Sequence, residues 1–126
     1  MLVRQELIKE TEQLLKDALM MKHEIEVYKN INNDSNEEKR IEGYIIKLHM
    51  LVDALPVLRT WEQQVLESRY FENRTYKETG RLIGNSGTTA KLKIERAILS
   101  LGRIIFGIEK EFPIKYRVDV ERKIGV

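Results

Sequence analysis

Four residues, Gly84-Asn85-Ser86-Gly87, stand between two short apolar-periodic stretches, "TYKETGRLI" before them and "TTAKLKIERAILSL" just after. No other feature of the chain narrows its fold so far. Glycine reaches the left-handed backbone region without steric cost, so Gly84 suits the position just past a helix end. Ser86 suits the position just ahead of the next helix, where its hydroxyl accepts an amide hydrogen bond. A short helix, a turn with glycine and a second helix make a helix-turn-helix. Gly80 falls inside the first helix, where glycine costs roughly 1 kcal/mol against alanine. Its presence implies that another backbone comes very close there.

The second helix, roughly Gly87 to Gly102, has two distinct faces. Ala90, Ile94, Ala97, Leu101 and Ile105 recur at helical spacing as a core stripe. Thr88, Leu92, Glu95 and Arg96 then point the opposite way, with Lys91 and Lys93 flanking them. In a DNA major groove the N-terminal residues of such a helix reach base edges. On that reading Ser86, Gly87, Thr88, Thr89, Lys91, Leu92, Lys93 and Arg96 form the DNA-binding set. Arg74, Lys77 and Arg81 are candidate contacts to the phosphate backbone.

Charge follows the same division. Residues 1–73 hold ten Lys/Arg against fourteen Asp/Glu, whereas residues 74–103 hold seven against two. Such asymmetry fits a nucleic-acid-facing part joined to an acidic partner-binding or oligomerising part, although a solvated helix face would also produce it.

The acidic half reads as two helices. Over residues 2–29, Leu7, Leu14, Met21 and Tyr28 recur every seven residues, a heptad seam that Thr11 interrupts. A second row, Ile8, Leu15 and Leu19, widens the stripe, so packing within the chain competes with self-association. "NINNDSN" is a loop, after which Ser35 and Glu38 open a second helix with Ile41, Tyr44, Ile45, Leu48, Leu51, Val52 and Leu55 as its core face. Pro56 ends it. Thr60 with Gln63, and Thr75 with Glu78, are capping boxes for two further helices. Beyond Pro113 the alternation of Ile114, Tyr116, Val118 and Val120 with charged residues predicts a short strand or a flexible tail.

The run Leu58 to Leu101 resembles region four of bacterial sigma factors. The resemblance rests on Glu62, Val65, Leu66, Arg69, Tyr70 and Phe71, then Gly80, Gly84 and Ser86, then Thr89, Lys91, Arg96 and Ala97. The whole chain, with its long first helix, Asn/Glu-rich break and "RIEGYIIKLHML", resembles the phage late-gene transcription regulators called RinA and ArpU. The family's usual branched residue at the start of the recognition helix is Ala90 here, and often-charged base-reading positions are Gly87, Thr88 and Leu92. The resemblance therefore implies the architecture and leaves the operator sequence open.

The expected fold is all-α: a helical hairpin (1–56), a sigma-like helix-turn-helix (57–108) and a C-terminal tail (109–126). The expected function is sequence-specific binding of double-stranded DNA to regulate transcription, as an activator of phage or prophage late genes, with self-association and host RNA polymerase as a candidate partner. A phage small terminase subunit is one alternative. A helical adaptor that binds polymerase or a sigma factor through "ILSLGRIIFGI" without touching DNA is another. The N-terminal half lacks the basic and aromatic cluster that melting a promoter strand needs, which argues against a free-standing sigma factor. Enzymatic chemistry finds no foothold. His23 and His49 fall on different helices, and no phosphate-binding glycine loop or nucleophile elbow occurs. No cofactor or metal is expected. Without cysteine, and without the roughly 20 apolar residues of a membrane span, the chain reads as cytoplasmic. The charged N-terminus is unlike a signal peptide.

Overall fold

The computed structural model describes residues 2–30 and 35–107. Five α-helices follow in order: α1 (Leu2–Asn30), α2 (Ser35–Ala54), α3 (Thr60–Leu66), α4 (Tyr76–Leu82) and α5 (Gly87–Phe106). A 3₁₀ turn (Leu55–Val57) follows α2 and a π turn (Glu67–Phe71) follows α3. Among the described residues there is no strand, so the all-helical expectation holds. The expected strand or tail lies outside the described residues. No described helix is long and apolar enough to cross a membrane.

One cluster of buried side chains draws on both the hairpin and the helix-turn-helix. It joins Leu14, Leu15 and Ala18 of α1 to Leu51 and Ala54 of α2, Val65 and Leu66 of α3, and Ile94, Ala97, Ile98 and Leu101 of α5. Each fully buried leucine or isoleucine contributes about 1.5–3 kcal/mol relative to exposure. Pro56 ends α2 by entering the 3₁₀ turn, and Leu58 then returns to the core.

The heptad seam has an intrachain use. Leu7, Leu14 and Met21 are buried within the chain, at 8%, 8% and 1% exposure, so they offer no seam to a second copy. The periodicity reports only that α1 has a buried stripe; α2 and α5 bury it. Leu19 of α1 and Val52 of α2, which the spacing assigns to core faces, are more than half exposed.

Thr11 interrupts the seam for a packing reason. It is fully buried, and its hydroxyl donates to the Leu7 carbonyl at 2.7 Å, which removes the cost of an unpaired polar group. Gly102 passes directly over it. A Cβ at Gly102 would lie 2.5 Å from Thr11 Oγ1 and 3.0 Å from Leu7 Cγ. Gly102 therefore does not end α5, as the sequence suggests; it lets α5 cross α1. The helix continues to Phe106, and Gly107, at φ 87°, follows its last turn. The apolar run read as an adaptor surface is largely consumed in this packing, since Ile98, Leu99 and Leu101 are buried and Ile104 and Phe106 are exposed.

The start of α3 also needs correcting. Arg59, not Thr60, is the N-cap residue, and the Glu62 carboxylate accepts its backbone N–H at 2.9 Å. Gln63 instead donates its side-chain amide to the Leu58 carbonyl at 2.8 Å.

Candidate nucleic-acid interface

The turn between α4 and α5 is built from local hydrogen bonds. At the start of α4, Thr75 Oγ1 accepts from the Glu78 N–H at 3.1 Å and the Glu78 carboxylate accepts from the Thr75 N–H at 3.0 Å. This is the expected capping box. The hydrogen bonds from the backbone and hydroxyl of Thr75 hold the Glu78 carboxyl below the usual carboxylate range. At the other end, the Asn85 N–H donates to the Gly80 carbonyl at 2.8 Å and the Gly84 N–H to Arg81 at 3.4 Å, with Gly84 at φ 70°. That pair is a Schellman closure, with Gly84 in the left-handed position its sequence implies. Ser86 then caps α5, accepting the Thr89 N–H at 3.2 Å.

Gly80 is explained by the same turn. A Cβ there would lie 2.5 Å from the Asn85 carbonyl oxygen and 2.9 Å from that of Ser86. The backbone approach inferred from the sequence is the turn folding back on α4. Gly87 is also close: a Cβ on it would meet the Lys77 Cα at 3.4 Å, so Lys77 stands beside the first turn of α5.

Most of the predicted site residues share one surface. On α5, Ala90, Ile94 and Ala97 are buried, while Thr88, Lys91, Leu92, Glu95 and Arg96 are exposed, Leu92 by 54%. Ser86 is exposed, and Gly87 and Thr89 are half-buried at the helix start. Lys91 and Lys93 leave on different flanks. The Lys91 ammonium lies 6.0 Å from the Tyr76 ring centroid of α4, whereas that of Lys93 lies 5.7 Å from the Trp61 ring of α3. Such contacts contribute about 0.5–1 kcal/mol at exposed sites and leave the charge outward. Lys77 and Arg81 are exposed on α4. Arg74 pairs with Glu72 at 2.9 Å, an exposed ion pair of about 0–1 kcal/mol that a phosphate could displace.

Sequence reasoning missed the supports behind this surface. Ser68 in the π turn and Thr79 in α4, both buried, share a hydroxyl hydrogen bond of 2.8 Å. Arg69 stacks its guanidinium over Tyr76 at 4.4 Å and donates to the Arg74 carbonyl at 3.0 Å. Tyr70 reaches α1, donating its hydroxyl to Glu12 at 2.7 Å. Burial and the Glu12 bond push the Tyr70 hydroxyl well above the usual phenol range. Burial opposes ionisation of Glu12, but its hydrogen bonds from Tyr70 and Lys16 outweigh this and hold its carboxyl below the usual range. The π turn makes the fan of contacts possible. Glu72 N–H bonds back to Glu67 rather than Ser68, and the widened turn sends Arg69 and Tyr70 to different neighbours. Only a mid-helix clash of polar and aromatic residues, "ESRYF", signals this in the sequence.

These features define an all-helical protein carrying a helix-turn-helix of the sigma region-four type. Residues 54–102 match the family model described as Sigma-70, region 4. The matched part is about two-fifths of the chain and runs from the end of α2 to the crossing of α5 over α1. It does not include α1 or most of α2, on which the likeness to the RinA and ArpU regulators depends. No curated protein and no solved structure matches the chain.

Proposed function

We propose that this protein is a sequence-specific DNA-binding transcription regulator, and that it activates late genes of a phage or prophage, as the resemblance to the RinA and ArpU group implies. One observation carries the reading. The first three turns of α5 present Thr88, Lys91, Leu92, Glu95 and Arg96 outward while Ala90, Ile94 and Ala97 anchor the opposite side in the core. A helix held in that way fits a major groove. Thr88 can hydrogen-bond a base edge and Leu92 can contact a thymine methyl. Lys91, Lys93 and Arg96, with Arg74, Lys77 and Arg81, neutralise phosphates and supply affinity that is independent of sequence. Host RNA polymerase is the partner that activation requires. Pairing of two copies on half-sites would have to use surface other than Leu7, Leu14 and Met21.

The test is footprinting on the DNA that flanks the protein's own gene, followed by transcription in vitro from a template carrying the protected site. Exchanging Thr88 and Leu92 should change which site is chosen, with about 1–3 kcal/mol at each contacted base pair. Lys91→Ala should weaken all sites alike and lower the slope of log affinity against log salt by roughly 0.9. An unchanged transcript together with stimulation of a terminase would move the assignment to DNA packaging.

A further inference from the structure

Beside the helix-turn-helix lies a cleft of about 170 Å³ lined by Lys16 of α1 and by Arg69, Tyr70 and Asn73. At roughly 30 Å³ each it has room for five or so water molecules. Its polar groups are only partly engaged by the protein. The Arg69 guanidinium spends one N–H on the Arg74 carbonyl, and a guanidinium carries five N–H donors in all. Lys16 lies 3.0 Å from Glu12, which uses one of its three ammonium protons. Glu12 also accepts the Tyr70 hydroxyl, so one carboxylate positions two sides of the cleft. Asn73 adds an exposed amide from a left-handed turn at φ 57°. Two cations against one carboxylate leave the cleft positive.

Its location supplies the second argument. The Arg69 guanidinium and the Lys91 ammonium approach the same Tyr76 ring, at 4.4 Å and 6.0 Å. The cleft therefore stands one aromatic ring away from the exposed face of α5. Lys91, Arg69 and Lys16 mark a line of cations from α5 past α4 to α1, which continues beyond residues 54–102.

We propose that this cleft binds a backbone phosphate of the duplex next to the bases that α5 reads, so that Lys16 extends the DNA-binding surface onto the N-terminal helix. The donors would be the Arg69 guanidinium, the Lys16 ammonium and the Asn73 amide, a set suited to a phosphodiester anion. The inference rests on α5 being the groove-reading helix.

Because phosphate contacts are blind to sequence, a mixed-sequence duplex of about 30 base pairs serves as the probe. Lys16→Gln should lower affinity about eightfold at 0.1 M salt and reduce the salt slope by roughly 0.9, the effect of one lost phosphate contact. Lys16→Arg should restore both. Lys47→Gln, which removes an exposed lysine of α2, should leave the slope unchanged. If Lys91→Ala weakens binding and Lys16→Gln does not, the cleft is no part of the DNA surface, while the reading of α5 stands. If neither variant weakens binding, the DNA reading itself fails. Equal losses from Lys16→Gln and Lys47→Gln would reduce the effect to net charge and overturn the proposal. So would a shift of the Asn73 amide resonance with inorganic phosphate when duplex affinity ignores Lys16, since the cleft would then be a site for free anions only.

Discussion

Alanine at Gly80 adds a single methyl group at the tightest point of the turn, and alanine at Gly43 provides its control. Both glycines lie within helices, so each substitution gains about 0.8–1 kcal/mol of helix propensity. At Gly43 nothing lies within 4 Å of the new Cβ, and that gain should be realised in full. At Gly80 the Cβ would sit 2.5 Å from one backbone oxygen and 2.9 Å from another, where ordinary contact begins at 3.4 Å. Neither oxygen belongs to a side chain that could swing aside, so the turn itself must open. Overpacking costs about 1–3 kcal/mol, and opening the turn endangers the Asn85-to-Gly80 hydrogen bond, about 0.5–1.5 kcal/mol more. After the propensity gain, Gly80→Ala should be less stable than the native chain by about 1–3 kcal/mol. With urea slopes of about 1–3 kcal/mol per molar, the unfolding midpoint should fall by about 1 M, while Gly43→Ala raises it. DNA affinity should fall with Gly80→Ala, because the displaced turn carries the start of α5. A Gly80→Ala protein as stable as Gly43→Ala would refute the close approach as the reason for the glycine.

Two further perturbations test the supports of the interface. Ser68→Ala should cost about 1–3 kcal/mol because it strands the Thr79 hydroxyl in the core, and adding Thr79→Val should recover part of that loss, as read by urea denaturation of both variants. The depressed folded pKa of Glu78 means that its contribution to stability is complete above the ordinary carboxylate value of 4.5 and disappears as pH falls through the lower folded value. The stability difference between the native chain and Glu78→Gln should therefore be constant near neutrality and change only on acidification below about pH 4.5; a difference that changed around neutrality would contradict the capping role.

What the sequence made legible was local. Thr75 with Glu78, Gly80, Gly84 and Ser86 all act on backbone three to six residues away, and residue type and spacing suffice to assign them. What stayed hidden was long-range or depended on which partner covers a face. A heptad stripe looks the same whether another copy or α5 buries it, so Leu7, Leu14 and Met21 could not be assigned from spacing. Gly102 resembled a helix end because glycine serves both as a terminator and at a crossing, and only Thr11, far away in the chain, separates the two uses. Ser68 with Thr79 and Tyr70 with Glu12 join residues 11 and 58 positions apart. Arg59 rather than Thr60 caps α3 because the cap is fixed by backbone angles, to which residue preference is only a guide. Within the candidate site, the outward face of α5 was readable from its periodicity, whereas the cleft beside Arg69 required the π turn, which no simple periodicity encodes.

The crossing at Gly102 also bears on transplantation. The stretch that matches sigma region four looks like a cassette to be cut out and grafted elsewhere, yet its last helix leans on α1. A fragment beginning at residue 54 would uncover the surface of α5 around Leu99, Leu101 and Gly102, and it would lose the Glu12 carboxylate that accepts the Tyr70 hydroxyl. Moving the module intact would require a foreign helix with a small buried hydroxyl residue at the crossing and a carboxylate within reach of Tyr70.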